Sequence, residues 1–236
     1  MRTKITAFAV INARSLAPKA ASLAENFLER KWTFAAITGT WLIDDAVCDA
    51  TKQDLKYAHG TELLHVNRRA TNGRNTGGGV AIAYKRSLAS FKYFPIRRGG
   101  CEVIAAKGKL VNVSTPLYVI TAYLPPGMRK RQLNVYIDVI RDAITRIKLQ
   151  EQKQTIILCS VINNYDLAPA LQDFLDIDEA ASPPTRGVER LDLIFSNCTA
   201  DLDPPAALPP LESEAGSTSD HLILCARSTG VKKLES

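Results

Sequence analysis

Apolar residues fall in short bursts along this chain, separated by polar and glycine- or proline-bearing stretches. Within Thr155–Asn164, Ile156, Ile157 and Leu158 stand together without polar alternation and read as a strand buried on both faces. Lys4–Ile11, Phe34–Ile37, Leu63–Val66, Val80–Tyr84, Phe91–Phe94, Val103–Ala106, Leu117–Ala122, Leu191–Phe195 and Leu222–Cys225 also read as strands. Helical spacing is clearest at Leu133, Ile137, Ile140, Ile144 and Ile147, which recur at intervals of 4, 3, 4 and 3. Ala20, Leu23, Phe27 and Leu28 mark a second helical face, entered through Ser15–Pro18 with the proline near the first turn. Leu167–Leu175 reads as a short helix. Asp44–Thr61 is polar without a clear period, which predicts a loop or short helix, and the proline-rich Asp203–Gly216 reads as a loop.

Hairpin-spaced strands mixed with a few helices favour an α/β fold with mixed sheets over a doubly wound parallel sheet. Two sheets packed face to face, with helices outside, accommodate this many strands in 236 residues. With no repeat, linker or low-complexity tail, the expectation is a single domain over residues 1–236, its core spanning about 4–227.

Composition narrows this little. Apolar residues make up 46% and charged residues 23%, both ordinary for a globular protein. A net charge of +6 permits nucleic-acid binding, but a solvated basic surface accounts for it equally well. Cys48, Cys101, Cys159, Cys198 and Cys225 are odd in number and scattered, which argues against a disulfide framework or a zinc site. Cys159 and Cys225 lie in apolar runs and read as core thiols. The opening MRTKITAFAVINAR reads as neither signal peptide nor membrane span, so an intracellular location is expected, in nucleus or cytoplasm.

Candidate chemistry sits where strands end. Asn12, Thr38–Thr40, Tyr123, Asn163, Asp192 and Ser219-Asp220-His221 each place polar groups at such an end, where α/β proteins build their sites. The plainer alternatives are turn asparagines and a satisfied His–Asp pair. Candidate phosphate-binding cations are Arg68, Arg69 and Arg74 in a glycine-rich loop, Arg97 and Arg98, and Arg129, Lys130 and Arg131. The last three open the longest helix, where positive charge opposes the helix dipole.

Seven segments together resemble the endonuclease domain of non-LTR retrotransposons. They are NARSL (12–16), ITGTWL (37–42), GGGVAI (77–82), YLPPG (123–127), IILCSVIN (156–163), SPPTRGVERLDLIFSN (182–197) and SDH (219–221). That domain belongs to the endonuclease/exonuclease/phosphatase superfamily, which includes the apurinic-site nucleases. The resemblance implies a four-layer α/β sandwich, two mixed β-sheets packed face to face with helices outside and the site at one rim. It implies hydrolysis of a DNA phosphodiester with Mg²⁺ (Mn²⁺ as a substitute), a hard cation and fixed donors stabilising charge on phosphorus.

On that likeness His221, Asp192, Asn163, Tyr123 and Asn12 correspond to catalytic positions, and Asp220 to the metal region. His221 and Asn163 would hold the phosphate, Asp192 would orient His221, and Tyr123 would contact phosphate. Two positions depart. Gly39 stands where the family has a metal-binding Glu, and Val161 where it has a water-activating Asp. The expectation is therefore a nuclease-like domain with impaired catalysis and residual, weak binding to the DNA backbone. The alternatives are a metal site rebuilt from Asp192, Asp220, Asp44 or Asp45, and a non-enzymatic binding module with an unidentified protein partner. If only the two missing carboxylates matter, restoring both is the minimum that would revive Mg²⁺-dependent nicking.

Overall fold

The computed structural model describes residues 6–42, 44–66, 77–96, 100–111, 113–163 and 165–228. Its strands in chain order are β1 (Thr6–Asn12), β2 (Trp32–Thr38), β3 (Thr61–Val66), β4 (Val80–Lys85), β5 (Ala89–Tyr93) and β6 (Val103–Leu110). They continue as β7 (Leu117–Tyr123), β8 (Thr155–Val161), β9 (Asp178–Glu179), β10 (Asp192–Ser196), β11 (Ala206–Leu208) and β12 (Ile223–Ser228). The helices are α1 (Ala20–Glu29), α2 (Asp45–His59), α3 (Lys130–Gln150) and α4 (Ala168–Leu175).

The strands form two six-stranded sheets, ordered β11-β12-β1-β2-β4-β3 and β5-β6-β7-β8-β10-β9. Both follow one plan. A central parallel pair, β1 with β2 or β7 with β8, is flanked on each side by antiparallel strands. A parallel pair needs a crossover, and α1 and α3 supply the two crossovers. Period-two alternation then divides the apolar residues into three cores. Phe8, Val10, Phe34, Ile82, Val119, Cys159 and Ile194 pack between the sheets. Ile11, Leu23, Phe27, Trp32 and Leu55 fill the layer under α1 and α2. Ile120, Ile140, Ile144, Leu158 and Phe195 fill the layer under α3. This is the four-layer sandwich that the sequence resemblance implies.

Three details refine or correct the sequence reading. Of the two alternatives for Asp44–Thr61, loop or short helix, the helix holds and is 15 residues long: α2 runs from Asp45 to His59, with the Asp44 carboxylate accepting from Val47 N at 2.8 Å. Its buried stripe is Cys48, Thr51 and Leu55, so only one large apolar residue marks the period. The Asp203–Gly216 loop contains the short edge strand β11, and its Leu211 is buried. Cys225 is only partly buried, at the margin of the core, whereas Cys159 is wholly buried. All five cysteines are free. Among the described residues no helix is long and apolar enough to cross a membrane.

Candidate active site at the sandwich rim

The ends that carry the polar residues all lie at one rim. β1 and β2 end there at Asn12 and Thr38, which are partners in register, and β4 starts there at Val80 opposite Thr38. In the second sheet β7 ends at Tyr123, β8 at Val161, and β10 begins at Asp192. Tyr123, Val161 and Asp192 are direct neighbours in register, so their side chains share one face.

The best-ordered chemistry is a buried relay. His221 Nδ1 lies 2.7 Å from Asp192 Oδ2, and the Thr185 hydroxyl donates to the same oxygen at 2.6 Å. Asp192 is fully buried and His221 only 5% exposed. With Nδ1–H on the carboxylate, Nε2 is the free acceptor, and it sits 3.3 Å from Asn12 Nδ2. The segment is pinned from below. Ser219 Oγ donates to Asn12 O at 2.7 Å and accepts from His221 N, while Leu222 N donates to Thr185 O. The structure thus brings Asn12, Asp192 and His221 together. Asn163 lies just past the end of β8 and donates through Nδ2 to Leu124 O at 2.6 Å, tying the ends of β7 and β8. Tyr123 is half-buried against the inter-sheet core.

Gly39 and Val161 complete the rim without any side-chain donor. Gly39 has φ +60°, the left-handed region that costs an L-residue strain. A Cβ placed on it would lie 2.6 Å from Asn12 Oδ1 and 3.3 Å from Arg14 N. The Asn12 amide occupies part of the space a side chain at position 39 would need. Val161 is fully buried between Tyr123 and Asp192. Asp192 Oδ1, on the strand beside it, is buried and has no hydrogen-bond partner among the described residues.

Asp220 is held by arginines. Arg14 Nη1 lies 2.9 Å from Oδ1 and Arg186 Nε 2.9 Å from Oδ2. Burial would raise this carboxyl, but the Arg14 hydrogen bond and charge, with His221 and Arg186, bring it below the usual carboxylate range.

A divalent cation does not fit these residues. Of the three metal-site positions that the sequence resemblance implies, Gly39 has no side chain, Val161 is aliphatic, and both oxygens of Asp220 are engaged by guanidinium groups. Among the described residues no cluster of three or more His, Cys, Asp or Glu side chains is placed to hold a metal. Asp44 is engaged elsewhere, its Oδ1 capping α2.

Strain clusters at this rim. Arg14, Ser15, Trp41 and Asn163 all have positive φ, at 42°, 82°, 54° and 42°. The NARSL turn is locked against the Gly39 loop by Ser15 N to Gly39 O and Leu16 N to Thr40 O, both 2.9 Å. Beneath it the buried Lys19 donates through Nζ to Ala13 O and Arg14 O, at 2.7 and 3.0 Å. Burial, and then the Arg14 charge, lower the Lys19 pKa.

Of the candidate phosphate-binding cations, Arg129, Lys130 and Arg131 are exposed at the start of α3, in the segment that follows the rim end of β7. Arg68, Arg69, Arg74, Arg97 and Arg98 lie outside the described residues. Sequence reasoning missed Arg14, Thr185 and Arg186. All three stand inside segments that carried the resemblance, NARSL and SPPTRGVERLDLIFSN, and the TR pair lies six residues ahead of the LD pair.

No family model and no curated protein sequence matches the chain. Solved structures do. An endonuclease/exonuclease/phosphatase family protein from Bacteroides thetaiotaomicron aligns with TM-score 0.69 at 11% identity, covering 95% of this chain and 98% of that one. D. rerio TDP2, complexed with single-strand DNA product, gives 0.66 at 17% identity over 95% and 99%. The endonuclease domain of TRAS1, a telomere-specific non-LTR retrotransposon, gives 0.64 at 13% identity over 98% and 100%. The fold is therefore that of the endonuclease/exonuclease/phosphatase superfamily, in agreement with the sequence resemblance.

Proposed function

We propose that this chain is a nucleic-acid-binding domain of retrotransposon descent, built on a metal-dependent nuclease fold whose hydrolytic activity is impaired. The observation that carries this reading is the contrast at the rim. The Thr185–Asp192–His221–Asn12 relay is intact and buried, while Gly39 and Val161 offer neither metal ligand nor proton acceptor. The likeness to TDP2, solved with a single-strand DNA product, supports nucleic acid as the ligand class. Arg129, Lys130 and Arg131 are exposed cations for the phosphate backbone.

Losing one member of a cooperating catalytic set commonly costs about 10⁴-fold in rate, and further losses add little because the unit is already broken. Phosphate contacts made by side chains need no metal, so backbone binding outlives hydrolysis. The expected result is negligible nicking of supercoiled plasmid with either Mg²⁺ or Mn²⁺. Robust nicking that disappears in His221→Ala would overturn the proposal.

A further inference from the structure

We infer that Arg14 and Arg186 have taken over the electrostatic place of the divalent cation, and with Asp220 form a metal-independent site for a phosphodiester group. This rests on the reading of the rim as a nucleic-acid phosphate site, and deepens it by naming the groups that hold the phosphate.

The geometry starts from Asp220. Its two oxygens each meet a different guanidinium at 2.9 Å, and His221 Nε2 lies 4.0 Å from Oδ1. Two guanidinium charges against one carboxylate leave a local excess of one positive charge beside the relay. One carboxylate edge engages at most two of the five N–H donors on a guanidinium, so each arginine keeps at least three for another acceptor. Both side chains are half-exposed, at 52% and 50%, while Asp220 between them is 31% exposed. The donors therefore flank an opening rather than a sealed core. Planar forks that match a tetrahedral oxyanion in pairs are what phosphate recognition uses.

The way both arginines are held argues against an incidental surface ion pair. Arg14 sits in a left-handed turn that Thr38, Gly39 and Thr40 zip in place and the buried Lys19 amine braces. Arg186 opens a tight turn, bridged to Glu189 through Gly187 at φ +56°, and directly follows Thr185, whose hydroxyl is fixed to Asp192. An exposed pair gains too little to justify a strained, doubly supported turn. Holding two forks at a set separation for a ligand does justify it.

The test is DNA binding by fluorescence anisotropy in EDTA, with a labelled duplex and a series of salt concentrations. Arg14→Gln and Arg186→Gln should each weaken binding about tenfold and reduce the log–log salt slope by about 0.9, the value for one phosphate contact. Asp220→Asn should do the opposite and tighten binding several-fold, because it frees both guanidiniums. A purely structural residue gives a loss instead. In parallel, melting in EDTA with inorganic phosphate, against NaCl of matched ionic strength, should raise the Tm of the parent and not of either arginine variant.

The outcomes separate. DNA binding that ignores Arg14→Gln and Arg186→Gln, or is weakened by Asp220→Asn, overturns the arginine site and leaves the nucleic-acid reading standing. Phosphate stabilisation without DNA binding keeps the arginine site, with free phosphate as its ligand, and removes the nucleic-acid reading. Neither signal overturns both.

Discussion

Two corners of one rim, formed by neighbouring strand ends, are in opposite conditions. At the His221 corner, Asp192, Thr185, Ser219 and Asn12 are buried and joined by side-chain hydrogen bonds, and the backbone is pinned at Thr185 and Ser219. The Gly39–Val161 corner presents no polar side chain at either position. A glycine sits in a left-handed turn under an asparagine amide, and a valine fills the row between Tyr123 and Asp192. A buried polar network left half-satisfied is destabilising, so its members hold together as a unit. A metal ligand has no such support. Without its cation, a cluster of carboxylates repels itself, and replacing one by an apolar or absent side chain relieves the folded state.

The largest effect should come from breaking the paired corner. Asp192→Ala leaves the Thr185 hydroxyl and His221 Nδ1 buried without their acceptor, at a cost of about 3–5 kcal/mol. Thermal or denaturant melts measure it. A loss below about 1 kcal/mol would show that the relay contributes nothing special to the fold.

Next is the attempt to restore the empty corner. Gly39→Glu must place a Cβ against Asn12 Oδ1 in a left-handed backbone, and should cost about 1–3 kcal/mol. Val161→Asp exchanges full apolar burial for a charge one strand away from Asp192, costing about 3 kcal/mol. The near-isosteric Val161→Thr brings a hydroxyl beside the unpartnered Asp192 Oδ1 and should change stability by less than about 1 kcal/mol. Restoring both carboxylates is therefore not the simple reversal the sequence suggests. The double variant Gly39→Glu with Val161→Asp should neither nick plasmid nor gain Tm from Mg²⁺, because Asn12 Oδ1 stands 2.6 Å from a Cβ at 39 and Asp220 stays paired with Arg14 and Arg186. Melts and nicking assays of these variants, with and without Mg²⁺, check each expectation.

That difference marks how far the sequence was legible. Apolar periodicity located the main strands and the long α3, because their runs face one or two cores without interruption. It left α2 undecided between loop and short helix, because the buried stripe there carries cysteine and threonine in place of larger apolar side chains. The ordered segments located the rim, and Asn12, Asp192 and His221 came together there because each lies at or beside a strand end. What linear order could not convey was the sign of a dihedral. Gly39 reads as a missing ligand, while its φ and the position of Asn12 show a left-handed turn with little room for a side chain. Nor could it show that Arg14 and Arg186, 172 positions apart, converge on one carboxylate.

The smallest expected effect is a pH dependence behind the empty corner. His65 Nε2 pairs with Thr40 Oγ1 at 2.9 Å, and Nδ1 lies 3.5 Å from Cys48 Sγ. Burial, with a smaller push from Lys52, lowers its pKa from 6.5 to about 4. A base whose folded pKa is depressed binds its proton more readily when unfolded. Its contribution is full above pH 6.5, declines as pH falls from 6.5 towards 4, and changes no further below that. Tm should fall across this window, and His65→Gln should flatten the fall. An unchanged slope in the variant would assign the acid sensitivity to other groups.

The central claim is that the relay corner has outlived its metal, and calorimetric titration with Mn²⁺ and Mg²⁺ tests it most directly. The account predicts no saturable heat at the rim, and identical traces for the parent and Asp220→Asn. A one-to-one binding isotherm that Asp220→Asn abolishes would contradict it, because it would mean that Arg14 and Arg186 give way to a cation and that a metal site survives where none of the present contacts provides one.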